Sequence, residues 1–427
     1  MSTELPEGRD SAVKLADSDF AADRREHDVR SALLDYWGRI RAGELGALPA
    51  ILGLAALIVL FFALRPNTFL SNQNIANLFT QALPIVILAM GLVFVLLLGE
   101  IDLSAGVASG VCAAVMAKLI IDGGQPWYVA VISALAVGVI VGTAIGWLVA
   151  VVRIPSFVVS LAFFLGIQGI TLKLIGEGGT VPVRDDFIVA LANKNMPIWL
   201  GWVLAAVCAA GYAGTQLLRW RRQQARNLHS KPVELVIAQS VVVALAVLLG
   251  TYLLSQDRAA SPLIFLGGVP WGVPLVGVLL IICTFVLART PYGRHIYAVG
   301  GNAEAARRAG INVTRIRISV FMIASGFAAI SGIVAAARLN SVTPDAGGGN
   351  TLLYAVGAAV IGGTSLFGGR GKARDAVLGG LVIAIIDNGL GLLGTKAYLS
   401  FLITGVVLLL AASIDALARR RRSNTGR

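Results

Sequence analysis

Few side chains in this 427-residue sequence could do chemistry, and they are widely spaced. Glu100, Asp102 and Ser104 share one short turn, Gly99-Glu100-Ile101-Asp102-Leu103-Ser104, between two long apolar runs. Carboxylates there are costly unless they meet water, a cation or backbone donors, which makes them candidates for a gate or a polar patch along a pathway. Asp102 or Ser104 is also of the type that caps a following helix. Asp387-Asn388-Gly389 lies in another apolar stretch. Such a pair serves either as an interhelical hydrogen bond or as a partner for a hydroxyl-rich solute. No catalytic or metal-binding residue is expected. His27, His229 and His295 have no partner at metal or triad spacing. Cys112, Cys208 and Cys283 fall within apolar runs and read as small buried hydrophobes. Ile361–Lys372 has the glycines of a phosphate loop, but Leu366 stands where that loop needs glycine and Ala373 where it needs Ser or Thr. Its glycines fit close helix packing and a tight reversal instead.

The interval from Tyr292 to Arg317 is polar and lies between two apolar runs. Asn302 is a good helix N-cap, Glu304 sits in the first turn where the helix dipole favours an anion, and Ala303, Ala305 and Ala306 supply helix propensity. Arg307 and Arg308 occupy the last turn, and Gly310 supplies the left-handed residue that ends it. A two-turn capped helix in this position is built to be touched by another molecule.

The elements that must position these groups are membrane helices. Hydrophobic residues make up 57% of the chain and charged residues 14%, against roughly 45–50% and about 25% in soluble domains. The apolar residues gather into twelve runs, the first at about 47–64 and the last at about 398–416, most of them near the roughly 20 residues that a span needs. The expected fold is therefore an all-α polytopic membrane protein of about twelve transmembrane helices, some short or broken, with a short helix in the loop 289–317. With residue 1 inside, most of the 35 Lys and Arg residues fall in inner segments, which places both termini in the cytoplasm. That pattern accounts for the net charge of +12 without nucleic acid. Residues 1–46 form a cytoplasmic tail in which Val29, Leu33, Leu34, Trp37 and Ile40 recur at helical spacing, as in an interfacial amphipathic helix. Residues 47–416 form the membrane domain, and 417–427 a basic cytoplasmic tail. Arg184-Asp185-Asp186 and Thr343–Asn350 read as outer polar loops, solvated or meeting an external partner. The breaks at 98–106 and 361–372 share a plan of inward run, glycine-rich turn and outward run, which hints at an internal repeat.

Several motifs in order resemble the permease subunits of ATP-binding-cassette sugar importers. They are Gly99–Ser104, Ile154–Leu161, Gly293–Asn302, Ala305–Asn312, Ala359–Leu366 and Asp387-Asn388-Gly389, and the resemblance covers roughly residues 50–415. Glu100, where many relatives have a second glycine, and the extra basic loop at 219–231 point to the xylose branch rather than the ribose branch. The resemblance implies an inner-membrane subunit without enzymatic activity that moves D-xylose or a related pentose by alternating access. It implies a cytoplasmic ATP-binding subunit that holds ATP and Mg, an extracytoplasmic sugar-binding protein, a second permease copy as homodimer partner, and surrounding lipid. It also implies that Asn302, Glu304, Ala305, Arg307, Arg308, Gly310, Ile311 and Asn312 form the coupling helix that docks on the ATPase. The alternative is an ion-coupled secondary transporter, with Glu100 and Asp102 as its ion site.

Overall fold

The computed structural model describes residues 46–226, 232–259 and 265–396, with residue 38 and, toward the end, residues 398–399, 401–406, 409–410 and 413. The amphipathic stretch at 29–41 (apart from residue 38), residues 227–231 of the basic loop and the tail 417–427 lie outside the described residues.

In chain order the helices are α1 (Leu48–Leu64), α2 (Asn72–Leu97), α3 (Ala105–Ile121), α4 (Trp127–Trp147), α5 (Ser156–Ile175), α6 (Asp186–Asn193), α7 (Ile198–Ala225), α8 (Val233–Ser255), α9 (Gly272–Arg289), α10 (Pro291–Gly301), α11 (Ala303–Arg308), α12 (Val313–Leu339), α13 (Thr351–Gly362) and α14 (Ala373–Leu392). Eight of these are long and apolar enough to cross a membrane, while α1, α3 and α13 are apolar but shorter. Helical residues recur in the last apolar run where it is described, so the chain is an all-α polytopic membrane protein with interrupted spans.

Two compact units are present. The smaller includes Val203–Leu249, the greater part of α7 and α8. The most apolar window of α8 has no buried residue, as expected of a helix whose apolar side chains meet lipid rather than protein. Cys208 on α7 is exposed, whereas Cys112 and Cys283 are buried, so only two of the three cysteines pack as core hydrophobes.

The larger unit, 43–202 with 250–427, is built around α2 and α12. Ser71 caps α2 by accepting the Asn74 N–H at 3.3 Å, and Asn312 caps α12 by accepting the Arg315 N–H at 3.0 Å. Close approach rests on glycine. Gly138, Gly142 and Gly146 line one face of α4, and a Cβ on any of them would collide with the α12 backbone around Ile318, Phe321 and Ser325. Gly379 of α14 lies against the Ala358 carbonyl of α13 in the same way. Between membrane helices, where apolar side chains gain little from leaving lipid, such backbone proximity supplies the packing energy.

Three expectations change. Arg184-Asp185-Asp186 is not a plain loop: Asp185 caps α6, accepting the N–H groups of Phe187 and Ile188 at 3.0 and 3.1 Å. Phe187 then stacks on Trp127 at a centroid distance of 3.8 Å. Thr343–Asn350 is only partly solvated: Ala346 and Gly347 press against Gly110 and Gly106 of α3, while Thr343, Asp345 and Gly349 stay exposed. Finally, 291–301 is a helix of its own, α10, started by Thr290, whose hydroxyl accepts the Gly293 N–H at 3.1 Å. Proline at its first position removes a donor that would have no helical partner there, which is why this polar segment coils.

Gly379→Ala is expected to lower the thermal unfolding midpoint in detergent, at a cost of about 1–3 kcal/mol from forced overpacking. Gly391→Ala on the same helix, where a Cβ meets nothing within 4 Å, is the control and should cause no loss. Equal midpoints for the two would refute the packing account.

Candidate functional site

The turn after α2 divides its acids between two jobs. Glu100 Oε1 lies 3.2 Å from Arg317 Nε of α12, with only 15% and 29% of the two side chains exposed. The Nε–H is not aimed to form a hydrogen bond, so the contact is an ion pair. Asp102 is buried at 2% exposure. Its Oδ1 accepts the Ser104 N–H at 2.9 Å and the Ser104 hydroxyl at 2.6 Å, while Oδ2 has no partner. Ser104 is thus the N-cap residue of α3 without a side-chain cap bond, and Asp102 holds it from two residues upstream. Ser156 and Ser160 of α5 secure the backbone between the acids. The Ile101 N–H donates to Ser156 Oγ at 3.2 Å, and Ser160 Oγ donates to the Ile101 carbonyl at 3.4 Å.

The second break meets the first. The Gly369 N–H donates to the Leu97 carbonyl at 2.8 Å, and Gly99 packs on Phe367 and Gly368. Asp375 turns the chain into α14, its Oδ2 accepting the Lys372 N–H at 2.8 Å and the Thr364 hydroxyl at 3.3 Å. Helix α10 locks onto the same junction. Tyr297 Oη donates to the Gly371 carbonyl at 2.7 Å, and Gly300 leaves no room for a Cβ between Leu97 and Gly369. Tyr292 Oη and Ser319 Oγ, 2.7 Å apart, tie the other end of α10 to α12.

Helix α11 projects from this junction. Asn302 Oδ1 accepts the Ala305 N–H at 2.9 Å, and Gly310 adopts φ +83° beyond the last turn. Glu304 pairs with Arg307 at 2.8 Å and with Arg308 at 3.4 Å. Exposed pairs of this kind add little stability, so their consequence is to orient the two guanidinium groups. Asn302, Glu304, Ala305, Arg307, Arg308, Gly310 and Asn312 are all exposed. Ala306 is buried and Ile311 packs on the core, which anchors the inner face of the helix and leaves the outer face open.

At the opposite end of the bundle, a cavity of about 340 Å³ opens between α2, α3, α12, α13 and α14. Asp387 lines it, but Asn388 does not. Asn388 is buried in a reciprocal amide pair with Asn74, 2.9 Å in each direction, and donates to Gln81 Oε1 at 3.3 Å. The neighbours thus split the two readings of the Asp–Asn pair, one facing a cavity and the other joining α14 to α2. Glu100, Asp102 and Ser104 are not among the cavity-lining residues. Arg338 of α12 lines the cavity with Asp387 and was missed in the sequence. The available signal was an arginine in the last turn of α12, after an uncharged stretch from Ile318 to Ala337.

Comparison with known proteins follows this geometry. A family profile described as branched-chain amino acid transport system, permease component, matches residues 74–412. The xylose transport system permease protein XylH of Escherichia coli K12 is 35% identical over 371 residues, covering 87% of this chain and 92% of the relative. XylH of Haemophilus influenzae is 33% identical over 371 residues, covering 87% and 96%. The ribose import permease protein RbsC of Escherichia coli K12 is 31% identical over 367 residues, covering 86% and 92%. No solved structure matches.

The Glu100–Arg317 contact is open to a double-mutant cycle. Glu100→Gln and Arg317→Gln should each lower stability, and the double variant should lose less than their sum, with a coupling of about 1–2 kcal/mol. Strictly additive unfolding free energies would show that the pair contributes nothing.

Proposed function

The chain belongs to this family of transport-system permease components, and from that premise we propose that it is the translocating subunit of an ATP-driven sugar importer, with D-xylose or a related pentose as its solute. The observation that carries the reading is similarity to sugar permeases over nearly their whole length. The family description mentions amino acids, but the relatives cited above are pentose permeases, and they set the solute class.

In this reading the chain hydrolyses nothing itself. ATP and Mg are held by a cytoplasmic partner subunit, and sugar arrives from an extracytoplasmic binding protein. A second copy of the permease completes the assembly, since a symmetric pair is the default closure for identical chains. Both termini face the cytoplasm, with residues 1–46 as a tail whose amphipathic stretch at 29–41 lies on the lipid surface and 417–427 as a basic tail. Helix α11, with Asn302, Glu304, Ala305, Arg307, Arg308, Gly310, Ile311 and Asn312, docks on the partner. Its small alanines admit close approach, and the arginines held by Glu304 fix its orientation. The ion-coupled alternative would use Glu100 and Asp102, but Glu100 is paired with Arg317 and Asp102 accepts from Ser104 at the start of α3.

The deciding experiment co-purifies the chain with candidate ATPase subunits in lipid and measures ATP hydrolysis with and without xylose-loaded binding protein. Stimulation by the loaded protein is expected. Stimulation by another loaded binding protein alone would replace the sugar, and failure to join any ATPase would remove the importer reading. Gly310→Pro removes both the +83° φ and the N–H that donates to the Arg307 carbonyl at 3.0 Å. It should leave the chain in the membrane while abolishing uptake and substrate-stimulated hydrolysis, as should Arg307→Glu. Coupling at the level of the unmodified protein in both variants would take the docking role away from α11.

A further inference from the structure

The cavity between α2, α3, α12, α13 and α14 has a composition that the docking function does not use. Its volume, about 340 Å³, is in the range of small-molecule sites, which begin at roughly 300 Å³. Arg338 and Asp387 face it from different helices and lie close enough for each to act on the other's charge. Asp345 lines it as well, and Gln81, Asn350 and Tyr354 add amide and phenol groups. Two carboxylates against one guanidinium disfavour an anion, and the guanidinium disfavours a free cation. What remains is a neutral molecule rich in groups that both donate and accept. A carboxylate accepts from two adjacent hydroxyls, and a guanidinium donates to neighbouring oxygens in a fixed fork. Pro84 and Ala113 contribute apolar surface against which the C–H face of a sugar ring can lie. The short helix α13 starts at this wall, where Asn350 and Thr351 open it, and presents its positive end to ligand oxygens.

We propose that this cavity is a transient binding site for one neutral polyhydroxyl molecule of pentose size, gripped between Arg338 and Asp387. The proposal rests on the sugar-importer reading and deepens it. Selectivity for the sugar would then be exercised twice, once by the binding protein and once here. A zwitterionic amino acid also has the charges to meet Arg338 and Asp387, and it is the competing occupant that the test must exclude.

The test uses the purified full-length chain in nanodiscs, without binding protein, and measures D-xylose and L-leucine binding by saturation-transfer NMR. Xylose should bind in the millimolar range and leucine should not. Arg338→Gln, Asp387→Asn and the double variant, which keeps the pair neutral, should each weaken xylose binding about tenfold or more, as expected when a hydrogen bond to a charged group is lost. The thermal unfolding midpoint of the double variant should stay at its unmodified value, which separates site loss from misfolding. Leucine binding in place of xylose would overturn the polyhydroxyl assignment. Absence of binding to the unmodified chain up to about 100 mM xylose, a free energy too small for a built site, would overturn the site itself. If the complex imports xylose with the same KM in the double variant as in the unmodified protein, the importer reading stands and this site falls.

Discussion

A backbone N–H or carbonyl that leaves a helix at membrane depth has no water to bond, and leaving it bare costs several kcal/mol. The chain interrupts its spans twice, after Leu97 and after Gly362, and the rest of the larger unit is arranged so that the two interruptions satisfy each other. The Leu97 carbonyl, released by the end of α2, accepts the Gly369 N–H of the second break. Both groups of Ile101 go to Ser156 and Ser160, and the Ser365 N–H goes to the Arg370 carbonyl inside its own turn. Side-chain oxygens of Asp102 and Asp375 close the starts of α3 and α14. Breaks this well satisfied permit short helices: α3 borders the cavity from its second turn, and α13 starts at its wall.

Glycine makes the mutual arrangement possible. Gly99, Gly300, Gly368 and Gly369 come from three segments and meet here, and a Cβ on Gly300 or Gly368 would collide with neighbouring backbone. Gly368 and Gly369 also adopt φ of +83° and +71°, which side chains bearing a Cβ rarely do. The junction is therefore constrained by volume and by backbone conformation together. Tyr292 and Tyr297 brace it from α10 through single hydroxyl contacts, and Arg317 braces it from α12 through Glu100.

Much of this was legible in the sequence because it is written in local signals. The capped helix from Asn302 to Gly310 follows from its cap, propensities and terminal glycine, and the apolar runs coincide with helices wherever they are described. The breaks at 98–106 and 361–372 were legible as glycine-rich interruptions. What could not be read locally was pairing across the chain. Nothing near Glu100 announces Arg317, which is more than two hundred residues away, and nothing near Asp387 announces Arg338. The same limit explains Asp387 and Asn388, whose two readings were both sound until the packing of α14 turned one toward the cavity and the other toward Asn74. Helix α10 escaped notice for a different reason. Its glycines lower local helix propensity, and they are present because Gly293 and Gly300 touch neighbouring backbone.

The contacts of α10 also decide how a push on α11 would spread. Helix α11 itself rests on the bundle mainly through Ala306 and Ile311, a shallow apolar footing with no hydrogen bond from its side chains to another helix among the described residues. Helix α10, continuous with it through Asn302, touches the first break at Leu97, the second break at Gly371 and the second turn of α12 at Ser319. Packed cores move between discrete arrangements and do not deform smoothly. A displacement entering at α11 must therefore shift α10 against both breaks together or not at all. Because the first break leads into α3, whose second turn borders the cavity, and the second into α14, which carries Asp387 to it, the same rigid contacts that satisfy the backbone connect the exposed helix at one end of the bundle to the polar chamber at the other.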